Sequence, residues 1–199
     1  MIIYLLAEGY MEEAVASRLL PYCGHEIGTV YGRCGCAYVK EKAAVFHHLV
    51  TDQTGVLVLT DFIDTKAACV PDALKEYVLD KCPTLPKNFL CRFSVNELES
   101  WLLADREGIA KYFNIALSKL PINPENENDP KNTLVNLARK SKKKVIREGV
   151  APPPGHYAAV GPEYISLMRE FVNIQWSIEN AMRNAPSLER CVRRLCEIK

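Results

Sequence analysis

The chain predicts an α/β protein: a mostly parallel, Rossmann-like sheet flanked by helices, with a helical C-terminal half packed on it. Three observations carry this. Short apolar runs alternate with amphipathic helical patterns through the first hundred residues. The runs, such as Val56 to Leu59, are continuously apolar, as in strands buried on both faces. Strand signals then stop beyond Asp105. The expected division is residues 1–105 as the α/β domain and 106–199 as a helical extension.

Taken in order, Ile2 to Leu6 is the first strand, and Glu12 to Leu20 is a helix closed by Pro21. Ile27 to Tyr31 is a short strand before a Gly/Cys turn, and Val39 to Val50 a helix. Gly55 to Thr60 is the third strand, followed by a helix over Pro71 to Leu79, and Phe89 to Val95 is the fourth. Helices are then expected over Arg106 to Phe113, Asn132 to Arg147, Pro162 to Ala181 and Ser187 to Cys196. The polar Pro121 to Pro130 stretch and Pro152-Pro153-Pro154-Gly155 interrupt them.

Composition narrows the function classes. Nearly half of the 199 residues are apolar, enough for a substantial core. The 25 basic and 24 acidic residues nearly cancel, so any polyanion-binding surface must be local. No run approaches the eighteen or so apolar residues of a membrane span, and the N-terminus lacks a signal-peptide pattern, which points to a cytoplasmic protein with no membrane partner. The eight cysteines contain no C-x-x-C pair, and Cys191 and Cys196 share a helix face poorly. They are expected to be mostly reduced and structural.

The informative residues are acids at strand ends, where open α/β sheets place their chemistry. Glu8 follows the first strand and precedes Gly9, which permits a sharp turn or close approach to a ligand. Asp61 follows the third strand in the same way. Glu12 lies four residues beyond Glu8, on roughly the same helix face. Glu13 reads as an ordinary first-turn acid, and Asp64-Thr65 as an N-cap region. Glu97 ends the fourth strand on the same rim, whereas Asn96 and Glu99 form a capping-box pattern that would account for Glu99. Such a group of acids would repel itself unless a cation bound, so raised carboxyl pKa values are expected without metal.

The blocks Glu8-Gly9-Tyr10-Met11-Glu12-Glu13, the apolar strand ending in Asp61, and Phe93-Ser94-Val95-Asn96-Glu97-Leu98-Glu99-Ser100-Trp101-Leu102-Leu103 together resemble a prokaryotic family of unknown function grouped with Toprim-like proteins. The resemblance covers most of the chain, but only these three blocks are specific. It implies the Toprim sheet shared by primases, topoisomerases and overcoming-lysogenisation-defect nucleases, with Mg²⁺ or Mn²⁺ held for phosphodiester chemistry. Glu8, Glu12 and Asp61 match the family's acids. The family's D-x-D would require an acid at position 63, which is Ile63; Asp64 is the next acid. Either Asp64 substitutes from a shifted turn, or the site is depleted.

The expectation is therefore a Mg²⁺- or Mn²⁺-dependent phosphodiesterase, a nuclease, with Glu8 and Asp61 catalytic and Glu8, Glu12, Asp61, Asp64 and Glu97 as metal ligands. The dense basic run Lys140, Lys142, Lys143, Lys144 and Arg147 is the candidate nucleic-acid contact, against the common alternative of a solvated helix face. Arg190, Arg193 and Arg194 make a second basic patch. The rivals are a catalytically weak Toprim-derived module that binds nucleic acid or protein in a defence or toxin-like system, and a small-molecule phosphatase or nucleotide hydrolase. No G-x-x-x-x-G-K-[ST] loop is present, so an ATPase function would come from a partner protein.

Overall fold

The computed structural model describes residues 1–198. Four strands form one all-parallel sheet in the order β2-β1-β3-β4: β1 (Ile2–Ala7), β2 (Glu26–Gly32), β3 (Thr54–Asp61) and β4 (Phe89–Ser94). Between them run α1 (Tyr10–Tyr22), α2 (Cys36–Lys42) and α3 (Val70–Leu74). The predicted α/β class is the observed one.

The chain forms two compact units, one of residues Met1–Val95 with the segment from Glu189 onward, the other Asn96–Leu188. This differs from a break at residue 105 in two ways. The first turn after β4 already belongs to the helical unit, and the last helix, α10 (Pro186–Cys196), returns its C-terminal part to the sheet unit. Chain order cannot reveal such a return.

In the sheet unit, alternation on β3 divides the core. Val56 and Val58 pack with Tyr77, Val39, Ala43 and Phe93 on one face, and Leu57 and Leu59 are buried on the other. Strand β2 has no fully buried residue, as befits an edge. Helix α1 retains Pro21 within its last turn. Proline forfeits one backbone donor there, and the Cys23 N–H closes the helix on the Leu19 and Leu20 carbonyls at 3.1 and 3.2 Å. The single helix expected over Val39 to Val50 is α2 followed by a 3₁₀ segment, Ala43–Leu49. Helix α3 is extended by a π-helical turn, Lys75–Leu79.

Six of the eight cysteines are free, as expected of most, and one pair departs from that. Cys23 and Cys196 are disulfide-bonded across a sequence separation of 173, with Cα atoms 4.7 Å apart. His25 Nε2 lies 2.8 Å from the Leu195 carbonyl beside it. Cys91 and Cys191 fit the expectation, being buried and free, with thiols pushed up to about 12 by burial.

The helical unit contains α4 (Glu99–Ala104), α5 (Arg106–Phe113), α6 (Pro130–Arg139), α7 (Lys144–Gly149), α8 (Tyr164–Ile174) and α9 (Ile178–Met182) around Trp101, Trp176, Phe113 and Phe171. Two of the long predicted helices are broken, each by a serine that bonds locally to backbone. Ser141 separates α6 from α7: its hydroxyl donates to the Phe113 carbonyl and accepts the Lys143 N–H at 3.0 Å. Ser177 separates α8 from α9: it accepts the Asn180 N–H at 3.2 Å, while its own N–H donates to Asp105 Oδ2 at 2.8 Å. Among the described residues no helix is long and apolar enough to cross a membrane.

Candidate metal centre at the sheet rim

The strand order reverses at β1. The chain passes from β1 to β2 on one side, then places β3 on the other, so the carboxyl ends of β1 and β3 flank a topological switch point. Open α/β sheets bind ligands at such points. Ala7 is in register with Leu59, which brings Glu8 level with Thr60. The Thr60 hydroxyl donates to Glu8 Oε2 at 2.6 Å, and the Asp61 N–H approaches the same oxygen at 3.4 Å.

The loop after β2 is fastened to the end of β1. Arg33 N–H donates to the Ala7 carbonyl at 2.9 Å and Gly35 N–H to the Glu8 carbonyl at 3.1 Å. Gly32 makes this approach possible: its φ is +95°, and a Cβ there would lie 2.2 Å from the Ala7 carbonyl oxygen. The loop delivers Cys36, the first residue of α2, to Glu8. From the other side, the 3₁₀ turn Ile63–Thr65 after β3 delivers Asp64, held by Thr65, whose hydroxyl donates to the Phe62 carbonyl at 2.8 Å.

The result is a three-donor group. One carboxylate oxygen each from Glu8 and Asp64 and the sulfur of Cys36 all lie within 4.8 Å of one another. Three ligands at the roughly 2.0–2.3 Å distances of divalent-ion coordination span similar separations. Burial pushes the Glu8 carboxyl above its ordinary range; the Thr60 and Asp61 hydrogen bonds oppose this, and the Asp64 charge adds to it. The same two acids, after burial, raise the Cys36 thiol. Tyr77, buried beneath, is pushed up by burial and then by the charges of Cys36, Glu8 and Asp64. Among the described residues no lysine or arginine forms an ion pair with Glu8 or Asp64.

The other acids named from the sequence have different surroundings. Asp61 is buried, and its Oδ1 accepts the Ser94 hydroxyl at 2.5 Å, so its carboxyl faces β4. It is not one of the three converging donors. Glu12 is buried and accepts the Gly9 N–H at 2.8 Å, capping α1. Gly9 itself is extended, and what it contributes is the missing Cβ, which would lie 3.1 Å from that oxygen. Glu13 forms a two-point pair with Arg33 at 2.6 and 2.7 Å. Ile63, where the D-x-D acid would stand, is exposed. No protein-family model, curated protein or solved structure matches this chain.

Glu97 belongs to the helical unit and is paired there. Lys131 Nζ lies 2.8 Å from Glu97 Oε1 and 3.6 Å from Glu99 Oε1, and the Lys131 N–H donates to Glu97 Oε2 at 2.9 Å. The capping-box explanation for Glu99 fails. Asn96 has φ +61° and donates its amide to the Glu127 carbonyl at 2.6 Å, Leu98 is the N-cap, and Glu99 is buried, accepting the Tyr164 hydroxyl at 2.6 Å. Burial raises the Glu99 carboxyl, with Lys131 and Tyr164 opposing.

Lys140, Lys142, Lys143, Lys144 and Arg147 are all exposed, and they surround the Ser141 break instead of lining one helix face. Lys144 lies 3.9 Å from Glu148, and Arg147 donates to the Ser141 carbonyl at 2.9 Å. The contributor missed from sequence is Cys36. Its only signal was the Cys34-Gly35-Cys36 turn after a strand, and the donors that give it meaning are 28 residues away on either side.

Proposed function

We propose that this chain is a divalent-metal-dependent phosphodiesterase of Toprim-like type that cleaves nucleic acid, with the ion held by Glu8, Asp64 and Cys36. The observation that carries it is the convergence of those three donors at the switch point of a parallel sheet, with no ion-pairing cation among the described residues. The donor set suits a divalent ion, since two carboxylates plus waters meet the needs of Mg²⁺ or Mn²⁺. Sulfur in the third position shifts the preference from hard Mg²⁺ toward Mn²⁺ or Zn²⁺.

A bound ion would supply an activated water and charge stabilisation at the phosphoryl oxygens. Glu8 is held by Thr60 and the Asp61 amide, which fix one oxygen and leave the other for ligation. Asp61, locked to Ser94, acts as a positioning residue for the end of β3 and so for the turn carrying Asp64. The exposed basic run would bind the phosphate backbone of the substrate.

A second reading, a nucleic-acid-binding module without turnover, is favoured by Ile63 and by the engagement of Asp61 with Ser94. One experiment separates the two. Labelled DNA and RNA are incubated with the protein in Mg²⁺, Mn²⁺ or Zn²⁺, or in EDTA, beside Glu8→Gln, Asp64→Asn and Cys36→Ala. Metal-dependent cleavage lost in the first two variants sustains the enzyme. Salt-sensitive binding with no cleavage under any metal favours the module, and neither binding nor cleavage defeats both.

A further inference from the structure

Within the helical unit, two adjoining clefts run between α5 and α9. One, of about 90 Å³, is lined by Arg106, Arg183, Asn180 and Asn184. The other, of about 270 Å³, includes Gln175, and both are bordered by Glu107 and Asn180. At the first stand two guanidinium groups, which only donate. The second adds the Gln175 amide oxygen, an acceptor, and the Lys111 ammonium, a donor, while the Glu107 carboxylate lies where the two clefts meet.

Several of these groups lack the partners such groups normally have. Among the described residues Arg106 forms neither a hydrogen bond nor an ion pair, although it is half-buried, and its Nε is buried without an acceptor. Arg183 has one long contact, 3.5 Å to Asn180 Oδ1. The Gln175 Oε1 is buried and accepts no hydrogen bond among the described residues. Buried polar groups left unpaired are costly, and two guanidinium groups converging on one cleft repel each other. An anion beside the guanidinium groups would pair Arg106 and offset its repulsion with the solvent-exposed Arg183, and a hydroxyl donor would satisfy Gln175 Oε1.

We propose that this cleft is a binding site for a phosphate monoester that carries hydroxyl groups, a sugar phosphate or a mononucleotide. Arg106 and Arg183 approach from two different helical segments, which suits a tetrahedral oxyanion better than the planar carboxylate a single fork would take. The hydroxyls donate to Gln175 Oε1 and to Glu107. Asp105, at the wall of the larger cleft, is already satisfied by the Gly108 and Ser177 amides at 3.1 and 2.8 Å and leaves the site to these groups.

The test is calorimetric titration of the full chain in EDTA, so that its result is independent of the metal chemistry proposed for the sheet unit. Ribose 5-phosphate is expected to bind at least about tenfold more tightly than inorganic phosphate, the difference that one or two added hydrogen bonds produce. Arg106→Ala and Arg183→Ala each weaken both ligands by about tenfold or more, as loss of a charge-assisted bond does. Gln175→Leu removes the advantage of the sugar and leaves inorganic phosphate unchanged. Adenosine 5′-monophosphate identifies the source: tighter binding than ribose 5-phosphate assigns a nucleotide, weaker binding a sugar phosphate. The proposal is overturned if neither phosphate binds, if the two bind equally, or if affinity is unmoved by the arginine substitutions. Should Arg106→Ala fail to fold, Arg183→Ala decides, because that side chain is exposed.

Discussion

Two groups of carboxylates in this chain illustrate two solutions to the same electrostatic problem. In the helical unit, Glu97 and Glu99 are held by Lys131 and by the Tyr164 hydroxyl, so their charge is answered by the protein itself. In the sheet unit, Glu8 and Asp64 meet beside Cys36; Thr60 and the Asp61 amide hydrogen-bond Glu8, and Glu8 and Asp64 also hydrogen-bond each other. The first arrangement is complete as it stands and reads as structure. The second would be completed by a cation from solution, which is why the proposed chemistry is placed there although both groups derive from acid-rich motifs after parallel strands.

The contrast is sharpest in metal binding. Glu8→Gln and Asp64→Asn should each weaken Mn²⁺ or Zn²⁺ binding at the rim by more than about a hundredfold, beyond the roughly 10- to 100-fold typical of outer-shell partners, whereas Glu97→Gln should leave it within about twofold. Isothermal titration measures this directly, and an equal loss in Glu97→Gln would erase the distinction between the two groups.

The next largest effect is on stability, and it should appear only in the helical unit. Lys131→Met leaves Glu99 buried without its cation and is expected to cost about 2–4 kcal/mol in urea unfolding, at or below the usual range for a broken buried pair because Lys131 is partly exposed. A change under about 0.5 kcal/mol, the ordinary range for surface substitutions, would mean that Lys131 does not neutralise the pair. Tyr164→Phe removes one donor to Glu99 and should cost about 1–2 kcal/mol by the same measurement.

The smallest effect is a pH slope. Burial and the neighbouring Asp64 hold the Glu8 carboxyl above its ordinary range in the folded, metal-free protein. The folded state therefore binds this proton more readily than the unfolded chain. The associated stability is fully present below the ordinary carboxyl pKa and declines as pH rises through the raised one. Urea unfolding in EDTA from pH 4 to 7 should show that decline, Glu8→Gln should remove this group's contribution to it, and saturating Mn²⁺ should reverse it at the upper end. A slope identical in Glu8→Gln would locate the titration elsewhere.

Local sequence was a sound guide wherever local physics dominates. β1, β3 and β4 were legible as apolar runs, because a largely buried strand needs continuous apolar side chains; β2, an edge strand with no fully buried residue, was legible as the short Ile27 to Tyr31 run before a Gly/Cys turn; and α5 was legible to the residue because Asp105 caps it and Asn114 ends it in the left-handed region. Glu8 was legible as an acid at the carboxyl end of a buried strand. What local sequence did not show were partners. Asp61 and Glu12 each have one oxygen engaged, by the Ser94 hydroxyl and by the Gly9 amide. Glu99 looked like a cap, yet it is buried against Tyr164.

The amino-acid order by itself determined the α/β class, the parallel strands and the rim on which acids would collect, since hydrophobic periodicity and chain direction are properties of adjacent residues. Only the tertiary structure decided which of those acids share a space, that Cys36 joins Glu8 and Asp64, that Cys23 reaches Cys196, and that Lys131 answers Glu97 and Glu99. Those contacts depend on the order in which strands lie side by side and on loops pinned by hydrogen bonds between segments tens of residues apart, and no local pattern encodes them.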